Sequence, residues 1–244
     1  MAAYYNEIDT FAAEWLRNLI ARGMIAPGDV DTRSIVDVRP DDVRPYTQCH
    51  FFAGIGGWSY ALRSAGWKDS HPVWTGSCPC QPFSSAARGR NRGMEDDRDL
   101  WPVWRNLIAA VSPRVVFGEQ VAQSEDWQVR LCDDMEVLGY EVGAAVLPVI
   151  AVGADHARPR FYFVGHSDSH SKPSGQIDAE ASWLSRDQGQ SGRMVQKDGL
   201  PARMAVFRGF GNAIHPALAA EFIVAAGEAM RASAPLPQKL GEAP

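Results

Sequence analysis

The stretch Cys49-His50-Phe51-Phe52-Ala53-Gly54-Ile55-Gly56-Gly57-Trp58 decides how the rest of the chain is read. Cys49–Ala53 is a short apolar run that predicts a strand, Gly54–Gly57 is a turn of residues that tolerate unusual backbone angles, and Trp58–Ala65 predicts a helix. Strand, glycine turn and helix in that order bring backbone N–H groups close to a ligand at a helix start. Alone the signal is weak, because glycine turns after strands also serve only to turn the chain. Its neighbours give it meaning.

Downstream, Val73–Cys78 predicts a strand, Trp101–Val111 a helix, Arg114–Phe117 a buried strand and Trp127–Leu138 a helix. Glu141–Val152 reads as one or two strands and Phe161–Val164 as a last clear one. Upstream, Phe11, Trp15, Leu16, Leu19 and Ile20 recur at helical spacing, so roughly 7–22 predicts an amphipathic helix stopped near Gly23. Met24–Val38 holds a turn at Pro27-Gly28 with short extended pieces on either side, Ser34–Val38 being the clearer, and Arg39–Pro45 reads as a connector. This alternation predicts an α/β domain with a mainly parallel sheet. From Ser167 to about Arg203 the composition shifts to Ser, Gly, Gln, Asp and Arg, and a helical pattern returns at Pro216–Met230. The expected organisation is a body over 1–166 and 207–232, a small loop-rich insert over 167–206 and a frayed tail over 233–244.

Composition excludes several classes. The chain has 244 residues, 45% hydrophobic and 22% charged, which is ordinary for a globular protein. The longest mostly apolar run, Gly143–Ala154, contains Pro148 and falls well short of the roughly 20 residues that span a bilayer, so no membrane role is expected. The start MAAYYNEID is acidic and lacks a continuous apolar core, which argues against a secretory signal and for the cytoplasm. Cysteines at 49, 78, 80 and 132 are too sparse for a disulfide framework and lack the paired spacing of structural zinc, so no metal is expected. The net charge of −5 is unevenly spread. Arg88, Arg90, Arg92 and Arg98 fall close together, while 117–141 holds seven acids and one base.

Four further motifs carry chemistry. Pro79-Cys80-Gln81-Pro82-Phe83-Ser84 follows a strand and precedes the arginine-rich loop. A free cysteine is most often a small buried hydrophobe, but positive charge nearby favours the thiolate. Glu119-Gln120-Val121 comes just after the strand Arg114–Phe117. Arg158-Pro159-Arg160-Phe161-Tyr162-Phe163-Val164-Gly165 sets two arginines on one side of an extended segment, and Gly211-Asn212-Ala213-Ile214-His215-Pro216 opens the last helix. Singly, these also read as a surface carboxylate, a solvated strand edge and a helix cap.

Taken together and in this order, the motifs resemble those of the cytosine-C5 DNA methyltransferases over about 51–166 and 207–230. FAGIGG is similar to that family's cofactor loop, PCQPFS to its nucleophile motif, GEQV to its ENV motif, HARPRFYFVG to its QxRxR motif and GNAIHP to its last motif. The resemblance implies a methyl donor, S-adenosylmethionine, and double-stranded DNA as partner. It implies that Cys80 is the nucleophile on cytosine C6, that Glu119 bonds N3, that Arg160 holds O2 and that Arg158 fixes phosphate or the nucleophile loop. Phe52, Gly54, Gly56, Gly57, Pro79 and Asn212 would surround the cofactor, with Glu7 on its ribose and Ile8, Asp29 and Leu100 at its adenine. Gln81, Ser84, Arg88, Arg90, Arg92 and Arg98 would meet DNA, the loop Ser84–Asp99 closing over a base flipped from the stack.

The resemblance also exposes a gap. Between Gly57 and Pro79 there is room for one helix and one strand only, so the family's acidic residue for ribose and Asp for adenine are not there. Tyr5-Asn6-Glu7-Ile8-Asp9, the helix after it and Gly28-Asp29-Val30 look like that displaced unit. The expectation is a permuted chain in which the second and third strands of the family come first. A right-handed crossover from the cofactor strand to the nucleophile strand would put the intervening helix on the other face of the sheet, so either the helix moves or the handedness rule breaks. Departures from the family include Gln120 for Asn, His156 for Gln and His50 for an acidic residue. An altered cofactor or C5 product, a catalytically weak DNA-binding homologue and an RNA substrate stay open at this point. With only about 40 residues, the insert leaves ordering on DNA, a very short site or a partner chain as routes to specificity, the protein being otherwise expected to be a monomer.

Overall fold

The structure, a computed structural model, describes residues 2–79, 99–122, 125–153, 159–167 and 214–232. Its strands are Ala3–Asn6 (β1), Gly28–Asp31 (β2), Gln48–Phe51 (β3), Val73–Gly76 (β4), Val115–Val121 (β5), Glu141–Pro148 (β6) and Pro159–His166 (β7). Its helices are Thr10–Ala21 (α1), Pro40–Val43 (α2), Gly57–Ser64 (α3), Trp101–Val111 (α4), Glu125–Val137 (α5) and Pro216–Ala232 (α6). The strands form one seven-stranded sheet in the order β2-β1-β3-β4-β5-β7-β6. β1 to β5 pair in parallel, and β7 runs antiparallel between β5 and β6. This is a doubly wound, Rossmann-like α/β fold.

The short central strands are covered on both faces, which is why they read as apolar runs rather than as alternations. Tyr5, His50, Thr75, Phe117 and Val164 lie in one row across the sheet. Their face is covered by α1, through Leu16, and by α3 and α6, through Trp58, Leu62, Leu218 and Ile223. Tyr4, Cys49, Trp74 and Val116 form the adjacent row facing the other way. That face packs on Ile35, on Val43 of α2, on Trp101, Trp104 and Ile108 of α4, and on Trp127, Leu131 and Met135 of α5. The second layer is rich in aromatic rings. Trp104 stands edge-on to Trp101 and tilted to Phe51, and Gly76 and Gly118 leave room beneath Trp104 and Phe163.

The faces fix the hand of each crossover. β3-α3-β4 and β4-α4-β5 step the same way across the sheet, yet α3 and α4 lie on opposite faces, so the two units have opposite hands. β1-α1-β2 steps the other way on the α3 face, and β2 passes to β3 over the α4 face, so both share the hand of β4-α4-β5. The unit β3-α3-β4 is the exception to a rule that parallel crossovers obey in about 98% of cases. Of the two outcomes open from the sequence, the helix keeps the company of α1 and the handedness rule gives way.

Local departures from the sequence reading have plain causes. Ser34–Val38 is not extended: Ile35–Asp37 is a 3-10 turn whose Ile35 is buried, and the strand lies earlier, at Gly28–Asp31. Apolar content alone does not separate a strand from one turn of buried helix. The connector holds a four-residue helix started by Pro40, with Asp42 accepting from the Arg39 N–H. α1 begins at Thr10, because Asp9 caps it by accepting from the Ala12 N–H. Among the described residues no helix is long and apolar enough to cross a membrane, and no group of three or more His, Cys, Asp or Glu is arranged to hold a metal.

Candidate active site

The carboxyl ends of β1, β3, β4 and β5 converge on one rim of the sheet, where open α/β sheets bind ligands. At the end of β3 the backbone turns sharply. Phe52 has φ 51 and Gly54 φ 53, and Gly56 caps α3 at φ 84. A positive φ at a phenylalanine is uncommon and costs on the order of 1 kcal/mol or more, so the surroundings must hold it. Phe52 packs edge-on against Trp104 with ring centroids 6.2 Å apart, and the Ala53 N–H donates to the Asn6 carbonyl at 3.0 Å. At Gly54 a side chain would meet nothing within 4 Å, so the loop faces open space there. Gly57 is packed against Ile214, which brings the start of α6 to the start of α3.

Glu7 follows β1 and reaches across to this loop. Its Oε2 accepts from the Gly54 N–H at 2.6 Å and its Oε1 from the Asp9 N–H at 2.9 Å. Burial pushes the Glu7 carboxyl up from its ordinary value, and these two backbone donors oppose the shift. Ile8 is 65% exposed beside it. Asp29 is set differently: it pairs with Tyr4, two residues, or about 7 Å, short of the rim. Its carboxylate accepts from Tyr46 Oη at 2.8 Å, a bond that pushes the Tyr46 phenol up to about 12. Asp31, level with Asn6, is the acid at the rim. It accepts from Tyr4 Oη at 2.7 Å and from the Arg33 guanidinium at 2.7 Å, and although burial works against it these partners hold it below the usual carboxylate range. Leu100 precedes α4 and packs against the aromatic layer.

On the other side of the rim Glu119 is 7% exposed and pairs with Arg160, Nε to Oε1 at 2.8 Å. β5 runs four residues past Phe117, and β7 begins at Pro159, so the antiparallel ladder sets Val121 opposite Arg160 and leaves Glu119 one step away on the same face. Cys78 is buried, and burial first, then the charges of Asp99 and Glu119, push its thiol well up. It is not poised as a thiolate. Asp99 receives the Trp101 N–H at 3.2 Å and the Arg130 guanidinium at 2.6 Å, which fastens the start of α4 to α5. Pro79 stands at the end of the described β4 segment. His50 lies inside β3, fully enclosed, with Nδ1 2.8 Å from Thr75 Oγ1 and its ring stacked on Tyr5. Burial pushes its pKa down to about 3, so it is neutral. Cys80, Gln81, Ser84, Arg88, Arg90, Arg92, Arg98, Arg158 and Asn212 lie outside the described residues.

The fold and rim define a doubly wound α/β protein with a glycine loop at one strand end and a carboxylate–guanidinium pair at another. Residues 67–198 match the family described as C-5 cytosine-specific DNA methylase, more than half of the chain. The chain belongs to that family. The matched segment includes PCQPFS, GEQV and RPRFYF but not the glycine loop, the N-terminal unit or GNAIHP.

Among curated proteins, the Type II methyltransferase M.AplI of Arthrospira platensis is 28% identical over 109 residues, covering 43% of this chain and 31% of that protein. M.HgiBI of Herpetosiphon aurantiacus is 33% identical over 102 residues, 39% of this chain and 23% of the relative. M.NgoMIV of Neisseria gonorrhoeae is 30% identical over 101 residues, 39% and 32%. The alignments thus span a third or less of these relatives. Among solved structures, a mutant DNMT2 of Spodoptera frugiperda aligns over 72% of this chain and 45% of its own at 16% identity and TM-score 0.45. The S. pombe Dnmt2 methyltransferase aligns over 71% and 51% at 13% and 0.41.

Proposed function

We propose that the protein is a DNA cytosine-C5 methyltransferase that uses S-adenosylmethionine, with Cys80 as nucleophile. Membership of the C-5 cytosine-specific DNA methylases carries this reading, and the Glu119–Arg160 pair beside the segment that leads into Cys80 supports it. The Type II methyltransferase relatives add the expectation of a role in restriction-modification. The cofactor fits the rim: Gly54 faces open space, the start of α3 offers N–H groups, and Glu7 keeps oxygen lone pairs for a ribose hydroxyl. Phe52, Gly56, Gly57, Ile8, Asp29, Pro79, Leu100 and Asn212 would complete its surroundings. When bound, it supplies an electrophilic methyl group.

The protein's own residues prepare the base. Cytosine C5 is a poor nucleophile, so the Cys80 thiolate adds to C6 and the C5–C6 π pair makes C5 nucleophilic; once C5 is methylated, loss of its proton restores the double bond and expels the thiolate. Glu119 bonds N3 and favours its protonation as charge builds on the ring, while Arg160 turns from its carboxylate partner toward O2 and Arg158 steadies phosphate or the nucleophile loop. The target must leave the stack to expose C6, which assigns Gln81, Ser84, Arg88, Arg90, Arg92 and Arg98 to DNA contacts. We assign 1–166 and 207–232 to catalysis and 167–206 to recognition. We also assign β1-α1-β2 to the family's second and third strand units, moved ahead of the cofactor loop. The Glu7–Gly54 bond supports that permuted order.

The test is nucleoside mass spectrometry of DNA after expression of the protein. The expected result is 5-methylcytosine with the wild type and none with Cys80→Ala or Cys80→Ser. A different mass at C5 would indicate another product. Covalent trapping on 5-fluorocytosine DNA but not on matching RNA fixes the substrate, and no modified cytosine in any arm refutes the reading.

A further inference from the structure

We propose that Gln120 is a positioning residue that sets where the nucleophile segment stands relative to Glu119, an inference that rests on the function proposed above. The ladder between β4 and β5 runs Trp74 to Val116, Thr75 to Phe117 and Gly76 to Gly118, and there it stops. Two more residues in the same register would set Cys78 opposite Gln120. The backbones have parted by then, and the Gln120 side chain spans the gap. Its Nε2 donates to the Cys78 carbonyl at 3.3 Å, while its Oε1 accepts from the Val121 N–H at 2.9 Å. The second bond fixes the first, because a backbone N–H can meet only the amide oxygen, which leaves the NH₂ end for Cys78.

Gln120 is 2% exposed, so this bond competes with little water. Successive residues of a strand face opposite sides. Glu119 therefore turns to Arg160 on one face while Gln120 ties the Cys78 backbone on the other. One dipeptide thus holds the carboxylate and the two-residue lead into Cys80. A second tie comes from α3, where Trp58 Nε1 donates to Ser77 Oγ at 3.1 Å. Asn, which the resemblance sets at this position, is one C–C bond shorter, about 1.5 Å, and would not span the gap. The parted strands and the longer amide belong together.

The test compares wild type, Gln120→Leu and Gln120→Asn. Both variants are expected to lose about 10- to 100-fold in single-turnover methyl transfer, the cost of a small misplacement of reacting groups. Cofactor affinity should stay within about twofold, because the loss falls on the chemical step rather than on binding. Rates near wild type in both variants overturn the inference, as does a rate loss matched by an equal loss of cofactor affinity. Full activity in Gln120→Asn alone also overturns it, since reach is the point. Alkylation of Cys80 by iodoacetamide in the cofactor-free protein, resolved from Cys78 by tandem mass spectrometry, is expected to change at least roughly threefold in Gln120→Leu as the segment that carries the thiol loses its tie. An unchanged alkylation rate overturns the inference. A changed rate in a protein that makes no 5-methylcytosine supports it while refuting the function on which it was built.

Discussion

Glu7 carries most of what is unusual at the scale of single residues. Its side chain is half-buried, and its folded-state pKa is raised above the ordinary value by burial. For an acid the sign follows directly. The folded chain binds more protons than the unfolded one, so the Glu7 contribution to stability is fully present below the unfolded pKa and is lost as pH rises through the folded one. Wild type is therefore expected to lose melting temperature as pH rises above the ordinary carboxylate range, relative to Glu7→Gln, whose side chain does not titrate. Thermal melts of both proteins across that pH rise check it, and a constant difference between them refutes it. Glu7 was singled out in the sequence only through the resemblance of Tyr5-Asn6-Glu7-Ile8-Asp9 to the family's displaced unit, since the residues themselves read as the start of a helix. Its bond to Gly54, 47 residues away, was not legible, because it depends on β1 and β3 lying side by side. Glu119 and Arg160 were legible as types, while their pairing required the antiparallel register of β5 and β7.

At the scale of elements, the pairing of β1 with β2 governs whether the N-terminal unit stays on the sheet. Gly28 sits so close to the Ala3 backbone carbonyl that a Cβ there would overlap it, and backbone cannot swing away as a side chain can. Gly28→Ala is expected to destabilise the protein by about 3 kcal/mol or more, at the upper end for overpacking. The same change should weaken cofactor binding, since Glu7 loses its support. Urea unfolding together with a cofactor titration checks both, and a stable variant with normal affinity contradicts the assignment. The sequence reading found the helices well because amphipathic spacing survives without tertiary information, as at Trp101–Val111. It misread Ser34–Val38, where buried Ile35 and Val38 serve one 3-10 turn rather than a strand. β5 was read too short, ending at Phe117, because Glu119 and Gln120 look like loop residues until β7 supplies their ladder.

Charge belongs to the whole molecule. The chain is acidic by five units, yet four arginines crowd residues 88–98. If they meet phosphate as proposed, replacing all four with alanine should reduce the slope of log affinity against log salt by up to about 3.6, or roughly 0.9 for each lost contact. DNA titrations at several salt concentrations measure this, and an unchanged slope moves the DNA contacts elsewhere. Fold class was legible from alternating strands and helices, whereas the order of strands in the sheet depends on which strands pair across long stretches of chain and was not.

The exceptional crossover has a functional consequence. β3 and β4 are neighbours in the sheet and consecutive in the chain. An ordinary hand for β3-α3-β4 would send the chain leaving β3 to the same face as the chain leaving β4, and the two exits would fill the space between them. With α3 and α4 on opposite faces the exits after the glycine loop and after Cys78-Pro79 diverge, the arrangement at which open α/β sheets bind ligands. Doubly wound sheets in their usual order gain such an arrangement from a reversal of winding between two strands distant in sequence. Here it arises between successive strands, from one crossover of the rarer hand. The loop and the segment proposed above to serve cofactor and nucleophile are therefore separated by a single helix and strand of connecting chain.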